Sequence, residues 1–265
     1  MDPWGFISSG RLNNDCPASL NYQYNLGLKG PSNIYQIFGD VGEAGVEAIL
    51  RNKSREFDDP HIIESECRLK LEERLNQTGV DAPTEQDLWR VISAVLKFRP
   101  SPNYELLATQ EEIWLEMPRL PIPVKGFLDF RGLEEGEMVI DDTKVTSQNI
   151  TKPKFEWIIQ LGIYALAIKH RFRLDYLPRT RIILLIRSKK PEVRILEVNI
   201  DSEVMSNIFI RAEMISHFLK NDYWPPNRQA QYCNERNCAH WYRCHADHLV
   251  PWRELMELPN NEELS

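Results

Sequence analysis

The sequence lacks the features that mark several classes of protein. No apolar run reaches the roughly 18 residues that a membrane-spanning helix needs, and the first residues show no basic region followed by an apolar stretch, the pattern of a signal peptide. Glycine is scarce, with 12 residues against 17 prolines, and no internal repeat is visible. We therefore expect a cytoplasmic globular protein without membrane contact, with 42% hydrophobic residues for its core.

Cysteines are few and odd in number. There are five, and without a secretory signal a disulfide framework is not expected. The remaining possibilities are buried thiols and metal ligands. Cys67 falls within a predicted helix and is interpreted as a buried thiol.

Positive charge is concentrated in one stretch of an acidic chain. The formal net charge is -7, which argues against a protein that coats nucleic acid non-specifically. Residues 144–194 contain 12 Lys and Arg against 3 Asp and Glu, a balance of +9 that leaves -16 for the rest. This segregation could bind a polyanion, or the cations could simply surround a solvated helix and strand pair. Candidates for phosphate contacts are Lys152, Lys154, Arg181, Arg187, Lys189 and Lys190.

Hydrophobic periodicity predicts helices, then three strands, a helix, two strands and a last helix. The predicted helices cover roughly residues 34–53, 60–77, 84–98, 154–170 and 201–219, and the strands cover 111–117, 123–132, 137–145, 181–187 and 193–200. The first three strands should form an antiparallel meander, and the fold class is α/β (α+β). We divide one compact chain into an N-terminal helical part (1–100), a core (101–222), a cysteine-rich loop (223–250) and an acidic tail (251–265).

Two neighbouring predicted strands carry two carboxylates and a lysine. Residues two apart in a strand share a face, so Asp142 and Lys144 project together while Asp141 and Thr143 point the other way. Asp129, on the preceding strand, can lie beside Asp142. Hard cations such as Mg²⁺ bind carboxylate oxygens and polarise phosphoryl oxygens, so this set suits phosphodiester hydrolysis. Alone, such a triplet is also typical of a solvated strand.

The predicted helix that follows adds two polar side chains. Gln160 and Tyr164 are four residues apart and share a helix face, from which both could reach a phosphate or Lys144. A core tyrosine beside a surface glutamine is the simpler interpretation of this pair alone.

Together, these patterns resemble the PD-(D/E)XK nuclease superfamily, and specifically its RecB-like branch, which includes CRISPR-associated exonucleases. The resemblance extends from about residue 8 to 244 and rests on the N-terminal segment around Arg11 and Cys16 and on Gly126, Asp129, Asp142, Lys144, Gln160 and Tyr164. It implies a restriction-endonuclease-like core in which a mixed central sheet is flanked by helices.

The resemblance also implies roles for these residues. Asp129 and Asp142 would bind Mg²⁺ or Mn²⁺, with the carbonyl of Thr143 as a further ligand. Lys144 would orient or activate the attacking water. The remaining two members of the catalytic set, Gln160 and Tyr164, would help to hold the DNA strand and the lysine.

The sequence departs from the family pattern in two places. Leu128 stands where a proline usually precedes the first aspartate. Many relatives have Gly-x-x-x-His in an upstream helix, with the histidine on the metal. Counting from Gly39 puts Glu43 at that position, and counting from Gly42 brings Glu47 next to it. We prefer Glu43 as the replacement ligand, with Glu47, or two surface acids and a weak metal site, as the alternatives.

Three of the cysteines, Cys233, Cys238 and Cys244, are spaced so that they could surround one metal centre. In RecB-like relatives, one N-terminal and three C-terminal cysteines hold a 4Fe-4S cluster, which implies Cys16 as the fourth ligand. The first interval here is four residues, where relatives usually have two. Zinc is the alternative metal, because three histidines lie in the same loop, namely His240, His245 and His248.

These interpretations predict a metal-dependent exonuclease that acts on DNA ends in a bacterial, archaeal or phage-infected cell. The process would be recombination, repair, phage replication or CRISPR spacer acquisition, with a helicase, recombinase or integrase as candidate partner. One alternative is a DNA-end-binding module that no longer cuts, which the absent histidine permits. The other is an endonuclease that acts with such a partner.

Overall fold

The computed structural model describes residues 5–12, 16–28, 30, 32–52, 59–229, 233–235 and 238–248. The chain forms two units. The larger contains residues 5–13 and 32–217, and the smaller contains residues 1–4, 14–31 and 218–265. The predicted acidic tail, 251–265, lies outside the described residues.

A mixed six-stranded sheet forms the centre of the larger unit. Its strands are β1 (Ile7–Ser8), β2 (Tyr104–Leu115), β3 (Val124–Glu134), β4 (Glu137–Thr146), β5 (Arg179–Ile186) and β6 (Glu192–Val198). β2, β3 and β4 pair antiparallel in sequence order, β4 and β5 pair parallel, and β5 and β6 pair antiparallel. The predicted meander and mixed sheet are confirmed. The sequence missed β1, which pairs parallel with β3, and the first half of β2.

The helices are α1 (Ser9–Leu12), α2 (Pro17–Leu20), α3 (Ile34–Asn52), α4 (Pro60–Thr78), α5 (Glu85–Val95), α6 (Phe155–Phe172), α7 (Ser202–Asn221) and α8 (Trp241–His248). The five that the sequence predicts, α3 to α7, begin within one residue of their predicted positions. Of the two predicted caps for α7, Asp201 is the one observed, and its Oδ1 accepts from the N–H of Glu203 and of Val204. Within the described residues, no helix is long and apolar enough to cross a membrane.

Apolar faces of α3 and α5 pack on the sheet to form the main core. Val46, Ile49 and Val95 from these helices join Phe130 and Ile183 from the strands, and all five are buried. α6 connects β4 to β5, and a helical crossover of this kind is what allows two consecutive strands to pair parallel.

The smaller unit is built from α2, α8 and a π-helical turn at Asn21–Asn25. Tyr22, in this turn, is buried beside Ala18 and Cys244, and its hydroxyl donates to Asp247 Oδ2 at 2.9 Å. The N–H of Ala18 also donates to the carbonyl of Pro225 at 3.3 Å. N-terminal and C-terminal segments of the chain therefore share one packed cluster.

Gly42 sets the distance between α3 and the sheet. A Cβ atom built at Gly42 would lie 2.7 Å from Val145 Cγ2 and 2.8 Å from Leu185 Cδ1, closer than side chains normally approach. We expect Gly42→Ala to lower the free energy of unfolding by about 1–3 kcal/mol, since α3 must move away from β4 and β5.

Urea unfolding of the two variants Gly42→Ala and Gly39→Ala would check this expectation. Gly39 is on the same helix and has nothing within 4 Å of a Cβ atom built there. Alanine should therefore be neutral or stabilising at position 39, because it favours a helix more than glycine does. Equal stability of the two variants would contradict the proposed close approach.

Candidate active site

The candidate active site lies where β3 and β4 separate. Their pairing ends at Phe130 and Asp141, after which β4 continues beside β5. One edge of β3 pairs with β2 along the whole strand. The opposite edge pairs with β4 at residues 130–134 and with β1 only at Val124 and Lys125. Among the described residues, no strand therefore pairs with this edge of β3 over residues 126–129. The gap leaves room for side chains.

Three of the predicted catalytic residues meet at this gap. Asp129 Oδ2 accepts from the backbone N–H of Thr143 at 2.7 Å, in place of a strand partner. Lys144 Nζ lies 2.6 Å from Asp142 Oδ2, so these two side chains share a face of β4, as the spacing predicts. Asp142 is only 1% exposed, and its Oδ1 accepts no hydrogen bond from the described residues. The proposed role of the Thr143 carbonyl as a metal ligand stays a prediction.

Helix α3 brings Glu43 rather than Glu47 into the electrostatic reach of these aspartates. Beyond the larger effect of burial, the charge of Glu43 adds to the raised pKa of Asp129, and the charge of Asp142 adds to the raised pKa of Glu43. Glu47 is engaged elsewhere, because its Oε1 lies 2.5 Å from Arg51 Nη2 and accepts from a threonine hydroxyl of β2. The arrangement favours Glu43 as the third acid.

Gln110, on β2, is a neighbour of this site that the sequence did not reveal. Its side-chain amide donates to Glu43 Oε1, and its neighbours Thr109 and Glu111 pair with Phe130 and Leu128, the residues on either side of Asp129. Its backbone is left-handed, with φ 47°, which costs a non-glycine residue about 1–2 kcal/mol. No pattern in the sequence marks Gln110, since it directly precedes the predicted strand 111–117.

The electrostatics of the site reflect three acids around one ammonium group. Burial raises the pKa of Glu43 to about 7, although the hydrogen bond from Gln110 partly opposes this. Burial, then Asp142 and Glu43, hold the pKa of Asp129 well above its usual value. Burial disfavours the charged form of Lys144, but the carboxylates of Asp142 and Asp129 outweigh it and raise the pKa of the lysine. Lys144 is therefore an ammonium group at neutral pH.

Gln160 and Tyr164, on α6, continue the site away from the carboxylates. Lys144 Nζ donates to Gln160 Oε1 at 3.2 Å, and Gln160 Nε2 donates to the Tyr164 hydroxyl at 2.7 Å. Burial raises the pKa of Tyr164 to about 12, so the phenol is neutral. Ser9, which the sequence did not single out, also donates to this hydroxyl, at 3.3 Å. The shared helix face predicted for Gln160 and Tyr164 is observed.

Gly126, part of the sequence motif, makes room for this tyrosine. A Cβ atom there would lie 2.7 Å from Tyr164 Cε1 and 2.9 Å from Ser9 Oγ. The ring cannot yield as a flexible side chain would, so any larger residue would displace Tyr164 and its link to Gln160.

Asp141 does not belong to the site. Both of its oxygens accept from Arg181, at 2.7 and 3.0 Å, and Arg181 also donates to Glu134. Because its guanidinium group is paired with Asp141 and Glu134, Arg181 is no longer a candidate for phosphate contacts. Among the other candidates, Lys154 lies over the ring of Trp157, at 5.2 Å from its centroid.

The residues at the gap fit a divalent cation by their chemistry. Within the described residues, no three His, Cys, Asp or Glu side chains already converge in a metal-binding geometry. Even so, Glu43, Asp129 and Asp142 are oxygen donors of the kind that Mg²⁺ and Mn²⁺ prefer, and the buried Asp142 Oδ1 has no donor in that part of the chain. Burial and then repulsion between the carboxylates raise the pKa values of Glu43 and Asp129, and a cation would relieve that repulsion.

The four cysteines of the predicted cluster all lie in the smaller unit. Cys16 packs against the cluster that contains Cys244, and its Sγ accepts from the N–H of Asn227 at 3.5 Å. Burial raises the pKa of Cys244, and the nearby Cys16, Cys238 and Cys233 add to the shift. The structure thus gathers these thiols in one region. The cluster and its zinc alternative stay predictions.

The nearby histidines differ in their surroundings. His240 is buried, with its ring 5.2 Å from that of Tyr22. His245 Nε2 is buried and has no hydrogen-bond partner in the described part of the chain. The side chain of His248 lies outside the described residues. Cys67 is fully buried, as predicted, and burial raises its pKa to about 12.

The charge on Glu43 should oppose folding of the metal-free protein. Its pKa rises from about 4.5 to about 7 on folding, so the folded state favours the protonated form. The stability of the fold that depends on a protonated Glu43 is fully present below about pH 4.5 and is lost as the pH rises through about 7. We expect Glu43→Gln to raise the free energy of unfolding by roughly 1–3 kcal/mol at pH 8, with little effect near pH 4.5.

Urea unfolding with a chelator at both pH values would check this, with Glu47→Gln as the control. Glu47→Gln should give no gain, because it removes an ion pair with Arg51. A similar effect of the two substitutions at pH 8 would contradict the assignment of Glu43 to the acidic site.

Comparison with known proteins agrees with this geometry. The sequence profile of the PD-(D/E)XK nuclease superfamily matches residues 7–245. A crystal structure from Eubacterium rectale, provisionally named an exonuclease, is similar with a TM-score of 0.51 and 13% identity, over 98% of this chain and 93% of that one. The structure of SSO0001 matches with a TM-score of 0.44 and 12% identity, over 93% of this chain and 89% of that one.

No curated protein matches the chain. At 13% identity, the Eubacterium rectale structure supports the fold alone, whereas the profile covers most of the sequence, including every predicted catalytic residue. The chain therefore belongs to the PD-(D/E)XK nuclease superfamily.

Proposed function

We propose that this protein is a Mg²⁺- or Mn²⁺-dependent DNA exonuclease of the RecB-like type. The observation that carries the proposal is the meeting of Asp129, Asp142 and Lys144 at the gap between β3 and β4, where Asp142 keeps a buried oxygen without a donor in the described residues. Nucleases of this superfamily generally use Mg²⁺ or Mn²⁺. The provisional name of the Eubacterium rectale structure, an exonuclease, agrees with this proposal.

The acids of the site would hold the metal. Glu43, Asp129 and Asp142 would be its side-chain ligands, with the Thr143 carbonyl as a further ligand. A bound cation polarises a phosphoryl oxygen and lowers the pKa of bound water. Gln110 holds the Glu43 carboxylate in its place through a hydrogen bond.

Lys144 would act as an ammonium group. Because its pKa is raised, it keeps three N–H donors, of which Asp142 and Gln160 use two in the metal-free site. The remaining donor can orient the attacking water or stabilise charge that develops on the phosphate. Gln160 and Tyr164 would restrict the lysine to one direction, with the buried Tyr164 acting through its hydrogen bond to Gln160.

The biological setting is proposed from the RecB-like resemblance. Recombination, repair, phage replication and CRISPR spacer acquisition all require processing of DNA ends, and a helicase, recombinase or integrase would be the partner. The retained Lys144 and the two aspartates favour cutting over the alternative of an inactive end-binding module. An endonuclease with a partner would use the same residues.

We further propose that Cys16, Cys233, Cys238 and Cys244 hold a 4Fe-4S cluster, with zinc as the alternative metal. Two observations support a shared centre: Cys16 packs against the cluster that contains Cys244, and Cys16, Cys238 and Cys233 are near enough to add to the raised pKa of Cys244. Such a centre would join segments more than 200 residues apart in the chain and would stabilise the smaller unit. Zinc stays the alternative because the buried His245 Nε2, which has no hydrogen-bond partner in the described residues, is a possible zinc ligand.

Substitutions at the gap should abolish cleavage. We expect Asp129→Asn, Asp142→Asn and Lys144→Ala each to lower the rate on end-labelled DNA with Mg²⁺ or Mn²⁺ by at least roughly 100-fold. Lys220→Ala, at an exposed position near the end of α7, is the control and should cleave like the wild type. Full activity of Lys144→Ala would exclude this site, and metal-independent binding without cleavage by the wild type would favour the end-binding module.

Removal of one cysteine should release the metal of the smaller unit. In protein purified without oxygen, we expect about four irons for each chain, together with the absorption of a cluster, and loss of both in Cys238→Ser. Cys67→Ser is the control, since Cys67 is buried in the larger unit. One zinc ion for each chain and no iron would favour the zinc alternative over the cluster. The absence of both iron and zinc would contradict both proposals.

A further inference from the structure

Three aromatic rings surround a single lysine on the same strand that carries Asp129. Lys125 Nζ lies 5.3 Å from the ring centroid of Phe6, 4.9 Å from that of Trp114 and 5.3 Å from that of Phe127. The rings of Phe6 and Trp114 also meet edge to face, with centroids 5.8 Å apart. We call these four residues the aromatic patch.

The rings of the aromatic patch are unusually accessible for large apolar side chains. Phe6 is 37% exposed, Trp114 is 47% exposed and Phe127 is 49% exposed. Single exposed aromatics are common, but a contiguous group of three is a feature of binding surfaces.

The charge of the patch is largely balanced by a neighbouring carboxylate, that of Glu112. Lys125 Nζ lies 2.8 Å from Glu112 Oε2, and Trp114 Nε1 donates to Glu112 Oε1 at 2.6 Å. Glu112 therefore fixes the Trp114 ring and offsets the lysine charge. A surface made to bind phosphates would leave its cations without a carboxylate, whereas a surface made to stack on bases needs flat rings in fixed positions.

The patch and the candidate active site share strand β3. Phe127 precedes Asp129 by two residues on β3, which corresponds to about 7 Å along a strand. A nucleic-acid strand with a phosphate at Asp129 would therefore pass the patch within one or two nucleotides. In a duplex the bases are stacked on each other and their faces are closed to protein rings, so only unpaired bases could use these rings.

We propose that Phe6, Trp114 and Phe127, held around Lys125, form a stacking platform that binds unpaired bases of a single DNA strand next to the cleavage site. This proposal rests on the proposed nuclease function and adds to it the form of the substrate. The platform would make single-stranded DNA, or the unpaired end of a duplex, the preferred ligand.

Binding to short labelled oligonucleotides tests the platform without cleavage. The assay would use a chelator and compare a single-stranded thymine oligonucleotide with an abasic strand of the same length, which has the phosphates but no bases. We expect Trp114→Ala and Phe127→Ala each to raise the Kd for the thymine strand by roughly 5- to 150-fold, with little change for the abasic strand. Trp114→Phe should keep most of the affinity, because it keeps a ring.

The matched control is Trp89→Ala, since Trp89 is also 47% exposed but lies on α5. It should bind both strands like the wild type. Raising the salt concentration should weaken every variant, yet the ratio between Trp114→Ala and the wild type should stay constant, because stacking releases no counterions.

Several results would overturn the platform. One is equal binding of thymine and abasic strands by the wild type, and another is an equal loss for duplex DNA in Trp114→Ala. Unchanged DNA affinity with altered self-association in Trp114→Ala would instead assign the patch to contact with a second copy of the chain. Cleavage is measured separately, so a platform without nuclease activity and a nuclease without a platform give different results.

Discussion

Three carboxylates, those of Glu43, Asp129 and Asp142, lie around the one ammonium group of Lys144, and burial together with the neighbouring negative charges raises the pKa of Glu43 and of Asp129. Folding alone gains nothing from such an arrangement, because each buried carboxylate loses hydration that its neighbours do not replace. A divalent cation would supply the missing charge. The site therefore lowers the stability of the metal-free fold, as expected for a site whose chemistry needs a metal.

The architecture serves to bring these groups together. β3 and β4 pair up to Phe130 and Asp141 and then separate, and Asp129 uses the space to accept from the backbone of Thr143. Gly42 lets α3 approach the sheet closely enough to carry Glu43 there. α6 supplies Gln160 and Tyr164 from the helix that makes β4 and β5 parallel. The contacts of Gly42 with Val145 and Leu185 join parts of the chain that are more than 100 residues apart.

Much of this arrangement is visible in the sequence because it follows from local spacing. The shared face of Asp142 and Lys144 results from the alternation of a strand, and that of Gln160 and Tyr164 results from the helical turn. The mixed sheet and the starts of most helices were also predicted, since periodicity and cap residues determine them.

Long-range packing accounts for what the sequence did not reveal. The choice between Glu43 and Glu47 depends on how α3 lies on the sheet, which no local pattern specifies. Gln110 and Ser9 acquire their places only through contacts with residues 67 and 155 positions away. Arg181 looked like a surface cation in a basic stretch, yet it pairs with Asp141. Two-residue β1 is too short to produce a periodic signal.

Direct titration of Mn²⁺ into the metal-free protein, followed by calorimetry, tests the central claim that the carboxylates at the gap form a metal site. The account predicts binding to the wild type that strengthens as the pH rises through about 7, where Glu43 loses its proton, and loss of that binding in Asp142→Asn. Binding to Asp142→Asn with the affinity and pH dependence of the wild type would contradict it.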